Sequence, residues 1–230
     1  MRFLAFAIAG GIGAMLAAPA RGIIVTLDMG TLPSANGFAF VPTGFGASPP
    51  TEAGVFSLAG GGLLHQTTIG TGSQAGGSSI YYTRSITPDW AQSYLIEARL
   101  RLDQSEFFGS YQGMLFGTSQ VWVGINADRF TLPTTGGTTT GAFDSTDGFH
   151  VYRFDVQVNH SWTFSIDGVQ RGTGNSGIGS GSTNLRLGDG SGGSNAAGYY
   201  DYVNFTQPIP SPGCVAPALV MLAAGWRRRG

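Results

Sequence analysis

The chain has 230 residues, a formal net charge of −1 and no lysine. Its 11% charged residues, 38 glycines and 12% aromatic residues are typical of a turn-rich β protein rather than a disordered chain. The lack of a basic excess excludes a nucleic-acid footprint, and the single cysteine, Cys214, excludes an internal disulfide and a cysteine-based metal site.

The N-terminal segment, residues 1–20, has the three parts of a secretory signal. Arg2 supplies the charged start, residues 3–17 the apolar region, and Ala18-Pro19-Ala20 a small-x-small cleavage site. The alternative is an uncleaved anchor helix, which the glycines within the apolar region disfavour. We therefore expect export of the chain and a folded domain over residues 21–207.

Short β-strands are predicted along this domain. Alternation of apolar and polar residues is typical of half-buried strands, and it is clearest over residues 94–102. Residues 30–53 are predicted as an ordered long loop or short edge strands. The other predicted strands are residues 23–28, 55–58, 63–69, 80–86, 112–116, 120–126, 129–132, 184–188 and 200–206, and the other predicted loops are residues 70–79, 133–148 and 172–183.

Residues 149–171 predict an antiparallel meander with one apolar face. The even-numbered residues from 150 to 158 face one way, which sets Val158 opposite Trp162 if a three-residue loop contains Asn159 in the left-handed conformation. Asp167-Gly168 predicts a second tight turn. Because an apolar face must be covered, a second sheet is expected. With no long amphipathic helix in the domain, the sequence predicts an all-β fold, a two-sheet antiparallel sandwich.

The C-terminal segment, residues 208–230, resembles the PEP-CTERM sorting signal of bacteria. A linker is followed by an apolar run and a basic end, and the residues that carry the resemblance are Pro210, Pro212, Gly213, Arg227, Arg228 and Arg229. This resemblance implies transient anchoring in the inner membrane, processing by an exosortase-type protease, and delivery to the cell surface or an exopolysaccharide matrix. Ser211 stands where the family pattern has glutamate.

The domain resembles the concanavalin A-like lectin/glucanase sandwich in its laminin-G-like form. The order of short motifs carries the resemblance, namely HVYR at 150–153, WTFSIDG at 162–168, LGDG at 187–190 and DYV at 201–203. It implies a jelly-roll of two antiparallel sheets. It also implies calcium at the sandwich rim, for which Asp189 and Asp201 lie near glycine-rich turns. The alternative role for these two residues is turn capping.

Carboxylates in the pattern of a retaining glucanase are missing from the domain. Such an enzyme places Glu-x-Asp-x-Glu on one strand, whereas Glu52, Glu97 and Glu106 lie in no such pattern. Asp155 and Asp167 are the alternative pair, and a solvated face and a turn explain them as well. The three histidines are not spaced as metal ligands, and His150 is expected to be structural. We therefore predict a protein that is not an enzyme.

Trp122 is the best candidate for carbohydrate binding. It alternates with Val121 and Val123, so that Trp122 and Asn126 are expected to face away from the core. Arg153 and Asp155 face outward on the central strand, and a Trp-Arg-Asp patch offers a stacking ring and hydrogen-bond groups for a sugar. The alternative is that Trp122 packs under a long loop.

These observations favour an exported, non-catalytic binding module that recognises a polysaccharide or other glycan. A structural matrix protein without a soluble ligand is the second hypothesis, and a glycoside hydrolase is the third. An outward aromatic platform favours the first, and a polar surface without a groove favours the second. Two carboxylates about 5–10 Å apart in a groove favour the third.

Overall fold

The structure is a computed structural model that describes residues 22–45, 47–70, 78–86, 92–107, 113–118, 121–134, 136–175, 183–190 and 194–207. Within these residues the fold is a sandwich of two antiparallel sheets, as the sequence predicts. A 3-10 helix, Pro33–Asn36, and one turn of α-helix, Glu52–Val55, complete it. The signal segment and the sorting segment lie outside the described residues. No helix among the described residues has the length and apolar character needed to cross a membrane.

The meander predicted over residues 149–171 forms one side of sheet A. Its order is β13-β12-β11-β6-β15-β4-β3, and β1 pairs with β15 beyond the end of β4. Its strands are β1 (Ile23–Asp28), β3 (Phe56–Ala59), β4 (Leu63–Thr67), β6 (Tyr94–Phe107), β11 (His150–Val156), β12 (Ser161–Ile166), β13 (Val169–Asn175) and β15 (Ser194–Gln207).

Sheet B covers the apolar face of sheet A. Its order is β10-β9-β8-β7-β14-β5-β2. Its strands are β2 (Ala39–Thr43), β5 (Ser79–Ile86), β7 (Met114–Thr118), β8 (Trp122–Asn126), β9 (Arg129–Thr134), β10 (Gly137–Ala142) and β14 (Thr183–Asp189).

The core lies between the sheets and follows the alternation of each strand. On β6 the apolar residues predicted to face one way are all buried, from Tyr94 to Leu102. Phe154 and Phe164 pair across β11 and β12 with ring centroids 4.8 Å apart, and Phe164 lies 5.6 Å from Phe130 of sheet B. These aromatic contacts join the meander to the second sheet.

The two turns of the meander test the local predictions. Asp167 and Gly168 adopt φ values of 52° and 76°, which confirms the predicted tight turn. The prediction for the first turn was wrong by two residues. Val156 lies opposite Trp162, Val158 is 53% exposed, and His160 rather than Asn159 has a positive φ of 64°. Asn159 instead accepts hydrogen bonds from the backbone N–H and the hydroxyl of Ser161, which stabilise the turn from its side chain.

Strand β10 occupies residues 137–142, where the sequence predicts a loop. These glycine- and threonine-rich residues form an exposed edge strand on β9, and no apolar alternation marks it. Strands β6 and β15 are longer than predicted, at 14 residues each. They pair along most of their lengths with two register shifts, which let long strands twist around the core.

Candidate functional site

Trp122 projects from the outer face of sheet B, as its alternation predicts. Val121 and Val123 on either side of it are fully buried in the core, whereas Trp122 is partly exposed. Tyr81 of β5 projects from the same face, because Ile80 and Tyr82 point into the core. Two aromatic side chains are therefore presented on one surface.

Strands β7 and β14 lie between these two aromatic residues. Three strand steps separate β8 from β5, or about 14 Å across the sheet. Two rows of paired residues cross the face: the first is Trp122, Gly117, Arg186 and Thr83, and the second is Gly124, Leu115, Gly188 and Tyr81. We call Tyr81, Thr83, Trp122 and Arg186 the aromatic face.

Two glycines hold the backbone close to the aromatic residues. Gly117 pairs with Trp122 and has φ 141°, and Gly188 pairs with Tyr81 and has φ 140°. A Cβ atom on Gly117 would lie 2.5 Å from the Cα of Trp122, and one on Gly188 would lie 2.6 Å from the Cα of Tyr81. Each position therefore requires glycine, both for its conformation and for the close approach of the next strand.

The hydroxyl of Tyr200 anchors this part of sheet B from inside the core. Tyr200 belongs to β15 of sheet A and is fully buried. Its hydroxyl oxygen accepts the N–H of Gly188 at 3.0 Å and lies 3.2 Å from Gln66 Oε1 and 3.4 Å from the carbonyl oxygen of Leu115. One side chain thereby ties the backbone beneath the aromatic face to the opposite sheet.

Arg186 lies between the two aromatic residues. Its guanidinium carbon is 5.2 Å from the centre of the Tyr81 ring, a cation-π contact that orients the side chain. The Nε atom of Arg186 is buried and has no hydrogen-bond partner in the structure. The same holds for the hydroxyl oxygen of Thr83, which pairs with Arg186 across β5 and β14. Both atoms are enclosed by the protein, so a ligand can contact Arg186 only through its terminal nitrogens.

The strands of sheet B contain a single carboxylate, that of Asp189 at the end of β14. Asp189 is fully buried, and its carboxylate accepts a 2.8 Å hydrogen bond from the hydroxyl of Thr68. Thr68 in turn exchanges hydrogen bonds with Ala196 of β15. The carboxylate is thus held inside a polar network between the sheets.

Asn126 lies on the same outer face of sheet B as Trp122. It is only 1% exposed, and its Oδ1 accepts the backbone N–H of Gly113 at 2.9 Å. The alternation predicts its direction but not its burial. Asn126 therefore stabilises the chain before β7, and it is not a sugar contact in this structure.

Arg153 and Asp155 do not join Trp122, which corrects the predicted Trp-Arg-Asp patch. They project from the outer face of sheet A, on the other side of the sandwich, because β11 belongs to that sheet. Arg153 donates two hydrogen bonds to Asp155, at 2.8 and 2.6 Å, and lies 3.5 Å from Glu97. The hydrogen bonds to Asp155 raise the pKa of Arg153 above its ordinary value. The guanidinium is occupied by carboxylates of its own sheet.

Asp189 and Asp201, for which the resemblance implies calcium at the sandwich rim, belong to different sheets. Asp189 belongs to sheet B and points into the core, whereas Asp201 pairs with Arg99 on the outer face of sheet A. The described residues hold no group of three or more histidine, cysteine or acidic residues arranged to bind a metal ion. Each carboxylate has a partner of its own, the hydroxyl of Thr68 for Asp189 and the guanidinium of Arg99 for Asp201.

Asp155 lies near the end of β11, and Asp167, in the turn between β12 and β13, lies beside the start of β11. Asp167 accepts the N–H of Val151 at 2.8 Å, four residues from Asp155, which corresponds to about 13 Å along a strand. His150, with a side chain 12% exposed, lies between Asp147 and Asp167 at 2.6 and 2.7 Å. This ring joins the Asp167 turn to the preceding loop, which agrees with the structural role expected of His150. The two aspartates cannot act as a catalytic pair at this separation.

Tyr81, Thr83 and Arg186 were missed by the sequence reasoning. Tyr81 and Thr83 alternate with buried residues in a predicted strand, and Arg186 does so in another. The alternation could therefore have predicted that these three side chains face outward. The alternation does not reveal that β14 pairs with β5 and β7, because these strands are distant in the chain. The site is assembled by those long-range contacts.

The sequence matches no protein-family model and no curated protein. Solved structures do resemble it. An endo-1,3-beta-glucanase from Streptomyces sioyaensis aligns over 84% of this chain and 100% of its own, with 16% identity and a TM-score of 0.54. The carbohydrate recognition domain of Emp46p aligns over 80% of this chain and 96% of its own, with 11% identity and a TM-score of 0.50. At these identities the likeness establishes the fold, a concanavalin A-like jelly-roll.

Proposed function

We propose that this protein is an exported, non-catalytic module that binds carbohydrate through the aromatic face of sheet B. The observation that carries the proposal is the pair of outward aromatic residues, Trp122 and Tyr81, with the guanidinium of Arg186 between them. Sugar rings stack on aromatic side chains and receive hydrogen bonds from nearby polar groups. A separation of about 14 Å across the sheet between the two strands suits an extended glycan chain.

The chemistry of this face supports binding rather than hydrolysis. Glycoside hydrolysis commonly requires two carboxylates about 5–10 Å apart beside the scissile bond. The strands of sheet B supply only Asp189, which is buried and hydrogen-bonded. On the opposite face, Glu97 and Asp155 both contact Arg153. A glycan seated between Trp122 and Tyr81 therefore meets no acid-base pair on the described strands.

The terminal segments support a surface location. Strand β1 begins at Ile23 and β15 ends at Gln207, and these two residues are paired in the sheet. The signal-like segment and the sorting-like segment therefore join the sandwich at one corner. Anchoring through the tail in the inner membrane, followed by exosortase-type processing, leaves the aromatic face of the domain available to the exopolysaccharide of the cell surface. We take the laminin-G-like variant and a metal-independent mode of binding as part of this proposal.

Retention of the full-length protein on a panel of immobilised polysaccharides tests the proposal, with and without calcium. Trp122→Ala and Tyr81→Ala are expected to weaken binding at least about tenfold each, since buried aromatic contacts dominate such interfaces. The matched control is Tyr199→Ala, a partly exposed tyrosine of sheet A that packs against His65. Removal of calcium is expected to leave binding unchanged.

Equal loss of binding in the Tyr199 control would move the site to sheet A. Absence of binding to every polysaccharide would favour a structural matrix protein without a soluble ligand. Release of shortened sugars from a bound polysaccharide would favour the glycoside hydrolase hypothesis.

A further inference from the structure

We propose that the aromatic face selects acidic polysaccharides, with Arg186 as the group that binds a ligand carboxylate. This inference rests on the proposed function and names the class of glycan that the same site takes. On this face a guanidinium lies between the two aromatic residues without a carboxylate to neutralise its charge.

Arg186 is one of seven arginines within the described residues. Four of them form ion pairs with carboxylates, namely Arg99 with Asp201, Arg101 with Asp103, Arg129 with Asp128, and Arg153 with Asp155 and Glu97. Arg84, Arg171 and Arg186 form no such pair among the described residues. Arg84 donates to the carbonyl oxygen of Asn36, and Arg171 is exposed beside the ring of Phe143. Arg186 is partly buried, and only the ring of Tyr81 contacts its charge. The positive charge of this face is therefore uncompensated.

Partial burial makes binding of an anionic ligand group more favourable at Arg186. The buried Nε atom has lost its contact with water and has gained no acceptor in exchange, which is unfavourable for a charged donor. A carboxylate can accept from the two terminal nitrogens at once, in a bidentate geometry that guanidinium groups favour. A neutral hydroxyl satisfies one donor and leaves the charge unpaired.

The neighbours of Arg186 leave room for such a group. Gly117 lies beside it on β7, where no side chain can intervene, and Thr83 lies beside it on β5. Paired residues of adjacent strands have Cβ atoms about 5 Å apart, and the short side chain of Thr83 leaves the terminal nitrogens of Arg186 open on that side.

The rest of the face does not repel an acidic chain. Asp189, the one carboxylate of the strands of sheet B, is fully buried and hydrogen-bonded to Thr68. Trp122 and Tyr81 stack on sugar rings whatever charge the ring carries. Specificity for the acidic class therefore comes from Arg186, and general glycan affinity comes from the aromatic residues.

The test compares acidic polysaccharides with their neutral esters on the full-length protein. The probes are polygalacturonate and its methyl ester, alginate and its propylene glycol ester, and the neutral glucan laminarin. We expect at least about tenfold tighter binding of an acidic chain than of its ester. Binding of the acidic chain should weaken from about 0.1 M to about 1 M salt, as the Debye length falls from ~10 to ~3 Å, and binding of the ester should not.

Arg186→Gln is expected to abolish the preference for the acidic chain while residual binding of the ester remains. Arg186→Lys, which keeps the charge but not the bidentate geometry, should retain part of the preference. The control is Arg171→Gln, which removes the same charge from an exposed position of sheet A, and it should change nothing.

Equal binding of acid and ester by the unaltered protein would overturn the inference, and so would a preference that survives in Arg186→Gln. The comparison of esters and salt in the unaltered protein decides the matter even if a variant fails to fold. Absence of binding to every probe would instead contradict the proposed function itself.

Discussion

At the scale of the residue, Tyr200 connects the core to the candidate site. Its hydroxyl accepts the N–H of Gly188, the residue that pairs with Tyr81 on the aromatic face. Tyr200→Phe leaves that N–H buried without an acceptor. We expect the free energy of unfolding to fall by about 1–3 kcal/mol, the cost of a buried unsatisfied group, with weaker glycan binding as Gly188 shifts.

Urea unfolding of Tyr200→Phe measures this effect. Tyr199→Phe is the matched control, because Tyr199 is the adjacent residue but faces outward and is partly exposed. A loss of unfolding free energy no larger in Tyr200→Phe than in Tyr199→Phe would contradict the role of the hydroxyl as a tie between the sheets.

At the scale of the element, the close approach of β7 to β8 positions Trp122. Gly117 has φ 141°, and a Cβ there would lie 2.5 Å from the Cα of Trp122. Gly117→Ala is expected to lower the free energy of unfolding by about 1–3 kcal/mol, since side chains are strained in this conformation. It should also weaken glycan binding, because the strand that carries Trp122 must move.

Gly137→Ala is the control for this prediction. Gly137 lies on the exposed edge strand β10, and the nearest atom to an added Cβ is the Thr134 hydroxyl oxygen at 4.0 Å. Thermal unfolding and glycan binding are measured for both variants. The comparison separates backbone strain at Gly117 from the effect of replacing any strand glycine with alanine. Unchanged stability and unchanged binding in Gly117→Ala would contradict the claim that the close approach of β7 to β8 positions Trp122.

Some turns and strands of this structure could be predicted from the sequence, and others could not. The Asp167-Gly168 turn and the outward direction of Trp122 were predictable, because backbone preference and alternation are local properties. The error at Val158 arose because His160 adopts the left-handed conformation in place of Asn159. Strand β10 was missed because an exposed threonine-rich edge has no apolar alternation.

The candidate site depended on information that alternation does not contain. Trp122 and Arg153 each face outward, yet β8 and β11 belong to different sheets. The burial of Asn126 follows from its bond to Gly113, and the pairing of β14 with β5 and β7 brings Arg186 between Tyr81 and Trp122. Such long-range pairing is set by the whole fold rather than by a local pattern.

At the scale of the whole molecule, the two outer faces have different characters. The outer face of sheet A has arginines paired with carboxylates, including Arg99 with Asp201 and Arg153 with Asp155. The outer face of sheet B has Trp122, Tyr81 and an unpaired Arg186. Arg171 of sheet A also lacks a carboxylate partner, but it lies on the edge strand β13. The two outward aromatic residues with a guanidinium between them therefore favour sheet B as the binding surface.

Stability of the whole sandwich should depend on pH in the alkaline range. Burial raises the pKa of Tyr94 to about 12, and it raises the pKa values of Tyr82, Tyr152 and Tyr200 as well. Tyrosine in an unfolded chain ionises near pH 10. Because the folded pKa values are higher, the stabilisation is fully present below about pH 10 and is lost as the pH rises through the folded pKa values.

Urea unfolding between about pH 8 and about pH 11.5 measures this loss, which approaches ~1.4 kcal/mol per pH unit for each tyrosine that ionises on unfolding. Tyr94→Phe should reduce the slope above pH 10 and leave the plateau below it flat. An unfolding free energy that stays constant up to pH 11.5 would show that these hydroxyls are not protected by the fold.

The most direct test of the binding surface is calorimetric titration of the full-length protein with the polysaccharide that it retains best. The double variant Tyr81→Ala/Trp122→Ala is compared with Tyr199→Ala of the opposite sheet. We predict that the double variant loses at least about a hundredfold in affinity, or ~2.7 kcal/mol, whereas Tyr199→Ala binds as the unaltered protein does. Unchanged affinity in a folded double variant would contradict the assignment of the site to the aromatic face.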